Sequence, residues 1–66
     1  MSNSFEIIER VGISNISSSD AIKKVVKETH EESRVGWFEV QEERGRVSGE
    51  GEIEFQVTVK MGRKLD

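Results

Sequence analysis

The chain's one tryptophan, Trp37, stands in the run Val35-Gly36-Trp37-Phe38-Glu39-Val40, and its indole is a large flat apolar surface on which another ring can stack. The run reads as a β-strand. Side chains alternate between the two faces of a strand, so Phe38 and Val40 share one face, while Trp37, Glu39 and Gln41 share the other. The Phe38 face is expected to be buried. Trp37 is then left beside a glycine on a polar face, half wet in a lone subunit. Covering such a ring is worth about 1.5–3 kcal/mol, which predicts a cover, either a ligand or another subunit. Taken on the residues alone, ordinary packing at a subunit interface accounts for Trp37 better than a ligand does.

Other polar groups offer less. Arg44 and Arg46 flank Gly45 and suit either a ligand or salt bridges to the many glutamates. Gln56 by itself is an ordinary solvent-facing strand residue. Glu50, Glu52 and Glu54 alternate on and beside a hairpin, and a solvated edge explains them better than a weak divalent-cation site. Cysteine is absent and His30 is the one histidine, so the usual zinc ligand sets and a Cys–His or Ser–His catalytic pair are missing. Gly45, Gly49 and Gly51 lie in a bend and a hairpin instead of ahead of a helix, so there is no phosphate-binding glycine loop. These absences argue against an enzyme and for a binding or structural protein.

The elements that must position Trp37 follow from periodicity. Phe5, Ile7 and Val11 share a face of a first strand, and Gly12 to Ser19 is rich in turn and cap residues. From about Ser18 the spacing becomes helical, with Ala21, Ile22, Val25, Val26 and Thr29 on one stripe. Ser17 or Ser18 is the expected N-cap, with Asp20 suited to the positive end of the helix dipole. About four turns are predicted, fading near Glu32-Ser33. A second strand runs from about Arg34 to Val47, bent near Gly45, and Ser48-Gly49-Glu50-Gly51 signals a hairpin. In the third strand Ile53, Phe55, Val57, Val59 and Met61 line one face; Glu54, Gln56, Thr58 and Lys60 line the other. Gln56 is therefore expected on the Trp37 face.

The fold class predicted is α+β, a β-α-β-β subunit over residues 1–66 as a single domain. Its three-stranded antiparallel sheet, in the order first, third, second, wraps on one helix. One sheet face and both edge strands are left uncovered, which predicts association. Composition points the same way. A chain of 66 residues with 33% hydrophobic and 35% charged side chains buries only about 60% of its unfolded surface. Without cysteine or a metal set, oligomerisation is the remaining support for so small a core. A formal charge of -3 with interspersed signs gives no general attraction for nucleic acid or anionic membrane. The longest apolar runs are two residues, so no signal peptide or membrane span is expected and the location read is cytoplasmic.

Several of these segments together resemble one family. Trp37-Phe38-Glu39-Val40 with Glu43-Arg44-Gly45, then Phe55-Gln56-Val57-Thr58-Val59-Lys60 and Gly62, is similar to the dodecins, small flavin-binding proteins. Val11-Gly12-Ile13-Ser14 with Ser17 and Asp20-Ala21-Ile22 is similar to that family's turn into its helix. The resemblance implies a hollow homododecamer that stores and photoprotects riboflavin or flavin mononucleotide (FMN) without turnover, paired flavin rings sitting at subunit contacts. It further implies that Trp37 stacks on the ring, Gln56 bonds its pyrimidine edge, and Arg44 supports the site. The end departs from many relatives: Met61-Gly62-Arg63-Lys64-Leu65 stands where they read Val-Gly-Phe-Arg-Leu, and Lys64 keeps the charge of that arginine without its planar fork. The alternative carried forward is a structural shell that binds coenzyme A, cations or no flavin.

Overall fold

The computed structural model of the protein describes residues 4–65. Strand β1 (Phe5–Ser14), helix α1 (Ser18–Glu32), strand β2 (Trp37–Val47) and strand β3 (Ile53–Lys64) follow in that order. The sheet has the order β1-β3-β2, and both pairings are antiparallel. This is the α+β, β-α-β-β arrangement expected, with β3 in the middle because it carries the most regular apolar face. No helix among the described residues is long and apolar enough to cross a membrane.

Local chemistry sets the boundaries of α1. Ser17, in extended conformation, is the N-cap, its hydroxyl accepting the Asp20 N–H at 3.0 Å. Buried Ser14 ties the end of β1 to the same turn: its hydroxyl accepts the Ile16 N–H at 2.9 Å and donates to Asp20 Oδ2 at 2.6 Å. That hydrogen bond, with Lys24 one turn on, holds the Asp20 carboxyl below its usual range. At the other end the Ser33 N–H returns to the Thr29 carbonyl at 2.9 Å, and His30 Nδ1 accepts the Val35 N–H at 2.9 Å. His30 is exposed and closes the helix exit two residues before Trp37. Arg63 completes this corner by donating to Ser33 Oγ and pairing with Glu6.

The core lies between α1 and one sheet face. Ala21 and Val25 meet Val57, Val59 and Met61, with Ile22, Val26 and Val35 at the margin. Helix and sheet approach closely because Gly12 has no side chain. A Cβ there would stand 2.5 Å from the Ala21 carbonyl oxygen and 3.0 Å from Val25 Cβ. Gly12→Ala is therefore expected to push the helix off the sheet, costing about 1–3 kcal/mol as overpacking does, with a visibly lower melting temperature by circular dichroism. Unchanged melting would show that the helix can shift freely at this contact.

Three expectations need correction. The Phe38 face is not buried within the subunit: Phe38 is 50% exposed, because α1 lies over β1 and β3 and barely reaches β2. The irregularity in β2 is not at Gly45 but a bulge between Val40 and Glu42. β2 itself begins at Trp37, so Arg34 to Gly36 lead into it. Beyond these, the apolar positions of β1 turn out to face away from α1. Pairing with β3 puts Ile8, Arg10, Gly12 and Ser14 on the helix side and leaves Phe5, Ile7, Val11 and Ile13 about half exposed on the other.

Arg10, a charged residue on the helix side, is accommodated by a network. Its guanidinium makes two bonds to the Glu32 carboxylate, at 2.8 and 3.2 Å, and donates to Thr29 Oγ1 at 3.3 Å. Hydrogen bonding and charge from Arg10 hold the Glu32 carboxyl below its usual range. Carboxyls lowered in the folded state, here Asp20 and Glu32, stabilise it above their unfolded values near pH 4 and lose that contribution as pH falls through the folded ones. Stability is thus expected to decline below about pH 4, and Glu32→Gln is expected to flatten part of that decline. Melting temperatures from pH 7 to 2 check this; an acid limb identical in parent and variant would contradict it.

The β2–β3 hairpin closes at Ser48 to Glu52. The Ser48 N–H donates to the Glu52 carbonyl at 2.8 Å, the Gly51 N–H to the Ser48 carbonyl at 2.9 Å, and Gly51 takes the positive φ of 84°. The hairpin outruns the helix, leaving Val47 and Ile53 exposed on the helix side. The chain is accordingly elongated, 53 × 19 × 14 Å. Its radius of gyration is 13.8 Å, against about 11 Å for a compact chain of this length.

Candidate ligand-binding face

The sheet face turned away from α1 is organised in cross-strand rows. Ile7, Gly62 and Trp37 form one; Glu9, Lys60 and Glu39 the next; then Val11, Thr58 and Glu42; then Ile13, Gln56 and Arg44; and beyond them Glu54 pairs with Arg46. Trp37 is 40% exposed. Its indole lies across β3 directly on Gly62, where a Cβ would collide with ring atoms Cε2, Cζ2 and Nε1. One ring face therefore rests on backbone, and the exposure belongs to the other face and the edges.

Arg44 reaches this face through the bulge. Strict alternation from Trp37 would have turned it toward the helix with Phe38 and Val40. The extra residue shifts the count by one, so that Glu42, Arg44 and Arg46 follow Trp37 and Glu39 on the open face. Gln41 reaches back to Glu39 Oε1 at 3.2 Å.

Gln56 sits at the centre of a hydrogen-bonded chain. Arg44 Nε donates to Gln56 Oε1 at 3.3 Å, Gln56 Nε2 donates to Glu54 Oε1 at 2.9 Å, and Arg46 Nε pairs with the same Glu54 oxygen at 3.0 Å. Arginine only donates and carboxylate only accepts, so the amide has one orientation. One N–H and one lone pair of Gln56 remain for a further partner that both accepts and donates.

Trp37 and Gln56 share the face but not one place on it. Their β3 partner positions, Gly62 and Gln56 itself, are six residues apart, about 20 Å at the rise of an antiparallel strand. A single ring system does not touch both from one subunit. Gln56 and Arg44 do come together, at the end of the face opposite Trp37.

The apolar stripe Phe5, Ile7, Val11 and Ile13 was not anticipated here. The spacing of Phe5, Ile7 and Val11 showed that they share a face without saying which, and Ile13, expected in the turn after the first strand, extends the stripe because β1 continues to Ser14. At the C-terminal end, Lys64 stands opposite Phe5 on the open face, whereas Arg63 belongs to the helix side. Among the described residues no group of three or more His, Asp or Glu side chains is set to hold a metal ion, and the Glu54 carboxylate is engaged by Arg46 and Gln56.

The family model for dodecin matches residues 5–66. The chain belongs to the dodecin family. Its fold is close to that of the dodecin from Streptomyces coelicolor, with 31% identity and a TM-score of 0.88 over 100% of this chain and 97% of that one. The Streptomyces davaonensis dodecin gives 31% identity and a TM-score of 0.87 over 98% of each chain. A calcium dodecin from Mycobacterium tuberculosis, described with a calcium-binding site, shares the fold at a TM-score of 0.88 over 97% of this chain and 93% of that one, with 18% identity. Curated proteins gave no match. Dodecins are small ligand-binding proteins that self-assemble, and the half-exposed apolar residues on both faces of this sheet are in keeping with that.

Proposed function

We propose that this dodecin holds a flavin, riboflavin or FMN, on the Trp37 face of a cytoplasmic homododecamer in which residues 1–66 act as a single domain. Its role is to store, sequester and photoprotect the flavin without turnover. The observation that carries the reading is the indole laid on Gly62 with its outer face free. That surface suits a broad flat ring, and stacking there would allow electron transfer from the indole to quench the flavin's excited state. The remaining N–H and lone pair of Gln56 match the alternating carbonyl and N–H pattern of the flavin's pyrimidine edge. Arg44 supports the site by holding Gln56 Oε1.

With roughly 20 Å between Trp37 and Gln56 in one subunit, this reading divides the roles between subunits: one contributes the indole, another the Gln56 and Arg44 end.

The test is a fluorescence titration of free riboflavin and FMN with purified protein at known subunit concentration. Quenching that saturates near one flavin per subunit is expected. No quenching at micromolar protein would sink the flavin reading. It would favour the second one, a structural shell binding coenzyme A, cations or no flavin, which the exposed apolar residues on both faces of β2 support equally.

A further inference from the structure

We infer that Gly62 is a positioning residue for the Trp37 platform: the missing side chain is a seat that lets the indole lie flat across β3 instead of standing away from the sheet. The inference rests on the flavin reading only for its effect on ligand binding.

The geometry is specific. Trp37 and Gly62 are directly paired across the β2 and β3 strands, and Ile7 pairs with Gly62 from the β1 side. The three residues form one row, with the indole reaching from β2 over the β3 backbone toward Ile7. A Cβ on Gly62 would fall within the contact radius of three atoms in the body of the indole, not at the tip of a flexible chain. The ring would have to lift or rotate away. No left-handed conformation accounts for a glycine at this position, since the one glycine with positive φ among the described residues is Gly51. What excludes a side chain is the ring above. The backbone is held from the side as well, the Gly62 carbonyl accepting the Gly36 N–H at 2.8 Å just before Trp37. The seat is thus tied to the segment that enters β2, just ahead of the residue that carries the ring.

Seating decides what a ligand meets. A flat indole offers one complete face level with its neighbours in the row; a lifted one offers an edge. It also limits each Trp37 to a single stacking partner, because backbone already occupies the other side.

The variant to make is Gly62→Ala, compared with the parent, Trp37→Ala and the double variant. Gly62→Ala is expected to raise acrylamide quenching of tryptophan fluorescence and alter the near-ultraviolet circular dichroism, while far-ultraviolet circular dichroism and elution volume stay those of the parent. Riboflavin affinity should fall at least tenfold. If the variant melts too early for titration, the coupling decides: the fall in melting temperature caused by Gly62→Ala should largely vanish in the Trp37→Ala background. An equal fall in both backgrounds, or parental tryptophan signals and riboflavin affinity in Gly62→Ala, would overturn the inference. Should the parent bind no flavin, the functional reading fails by itself, and tryptophan accessibility with the melting-temperature coupling still decides the seat.

Discussion

Trp37→Ala is expected to weaken riboflavin or FMN binding by about ten- to a hundredfold, since a covered ring contributes about 1.5–3 kcal/mol and each 1.4 kcal/mol is a factor of ten. The assembly should survive. Within its own subunit the indole lies on the Gly62 backbone, and it is not among the five residues of the core. Fluorescence titration together with size-exclusion chromatography separates the two effects: flavin released unquenched by protein of parental size is the expected result. A variant that falls to monomers, from a parent that never bound flavin, would make Trp37 an interface residue instead. Trp37→Phe should retain more binding than the alanine variant, because a smaller flat ring still covers part of the same surface.

The second large effect concerns the core. Met61 is fully buried and is the largest of the side chains that α1 and β3 enclose. Met61→Ala is expected to cost about 2–5 kcal/mol, the usual range for truncating a buried Leu, Ile or Met. Five residues make up this core, so such a loss is a large part of what a 66-residue subunit can hold. Folding should then depend visibly on association, and the melting temperature of Met61→Ala should rise with protein concentration more steeply than that of the parent. Concentration-independent melting with only a small shift would mean that the subunit core is not the weak point. Phe38→Ala makes a contrasting case. At 50% exposure in the subunit, its effect should appear in the assembly rather than in the helix content of the chain.

The sequence by itself determined the elements, their order and much of their chemistry. Helical spacing from Ala21 to Thr29, the Ser17 cap and the Gly51 turn are local matters, decided within a few residues of chain, and each appears where the spacing put it. Alternation in β3 likewise separated Val57, Val59 and Met61 from Gln56 and Thr58, because a central strand has both faces specified by its neighbours. The common face of Trp37 and Gln56 was legible for that reason.

What only the tertiary structure decided depends on pairing between distant residues. Period-2 spacing groups Phe5, Ile7 and Val11 but does not say which side they take, and Ile13 joins them only because β1 runs on to Ser14. Register with β3 turned them to the open face and put Arg10 and Gly12 under the helix. The helix covers two strands and not the third, so Phe38 is exposed although its spacing reads as core. A single extra residue after Val40 reverses the faces of everything beyond it, which is how Arg44 comes to hold Gln56; no local signal in Val40-Gln41-Glu42 marks the bulge. The separation of Trp37 from Gln56 along the sheet, and the glycine seat beneath the indole, are likewise relations across strands. Alternation along a strand records which face a residue takes, whereas position on that face is set by the hydrogen-bonded register of its partner.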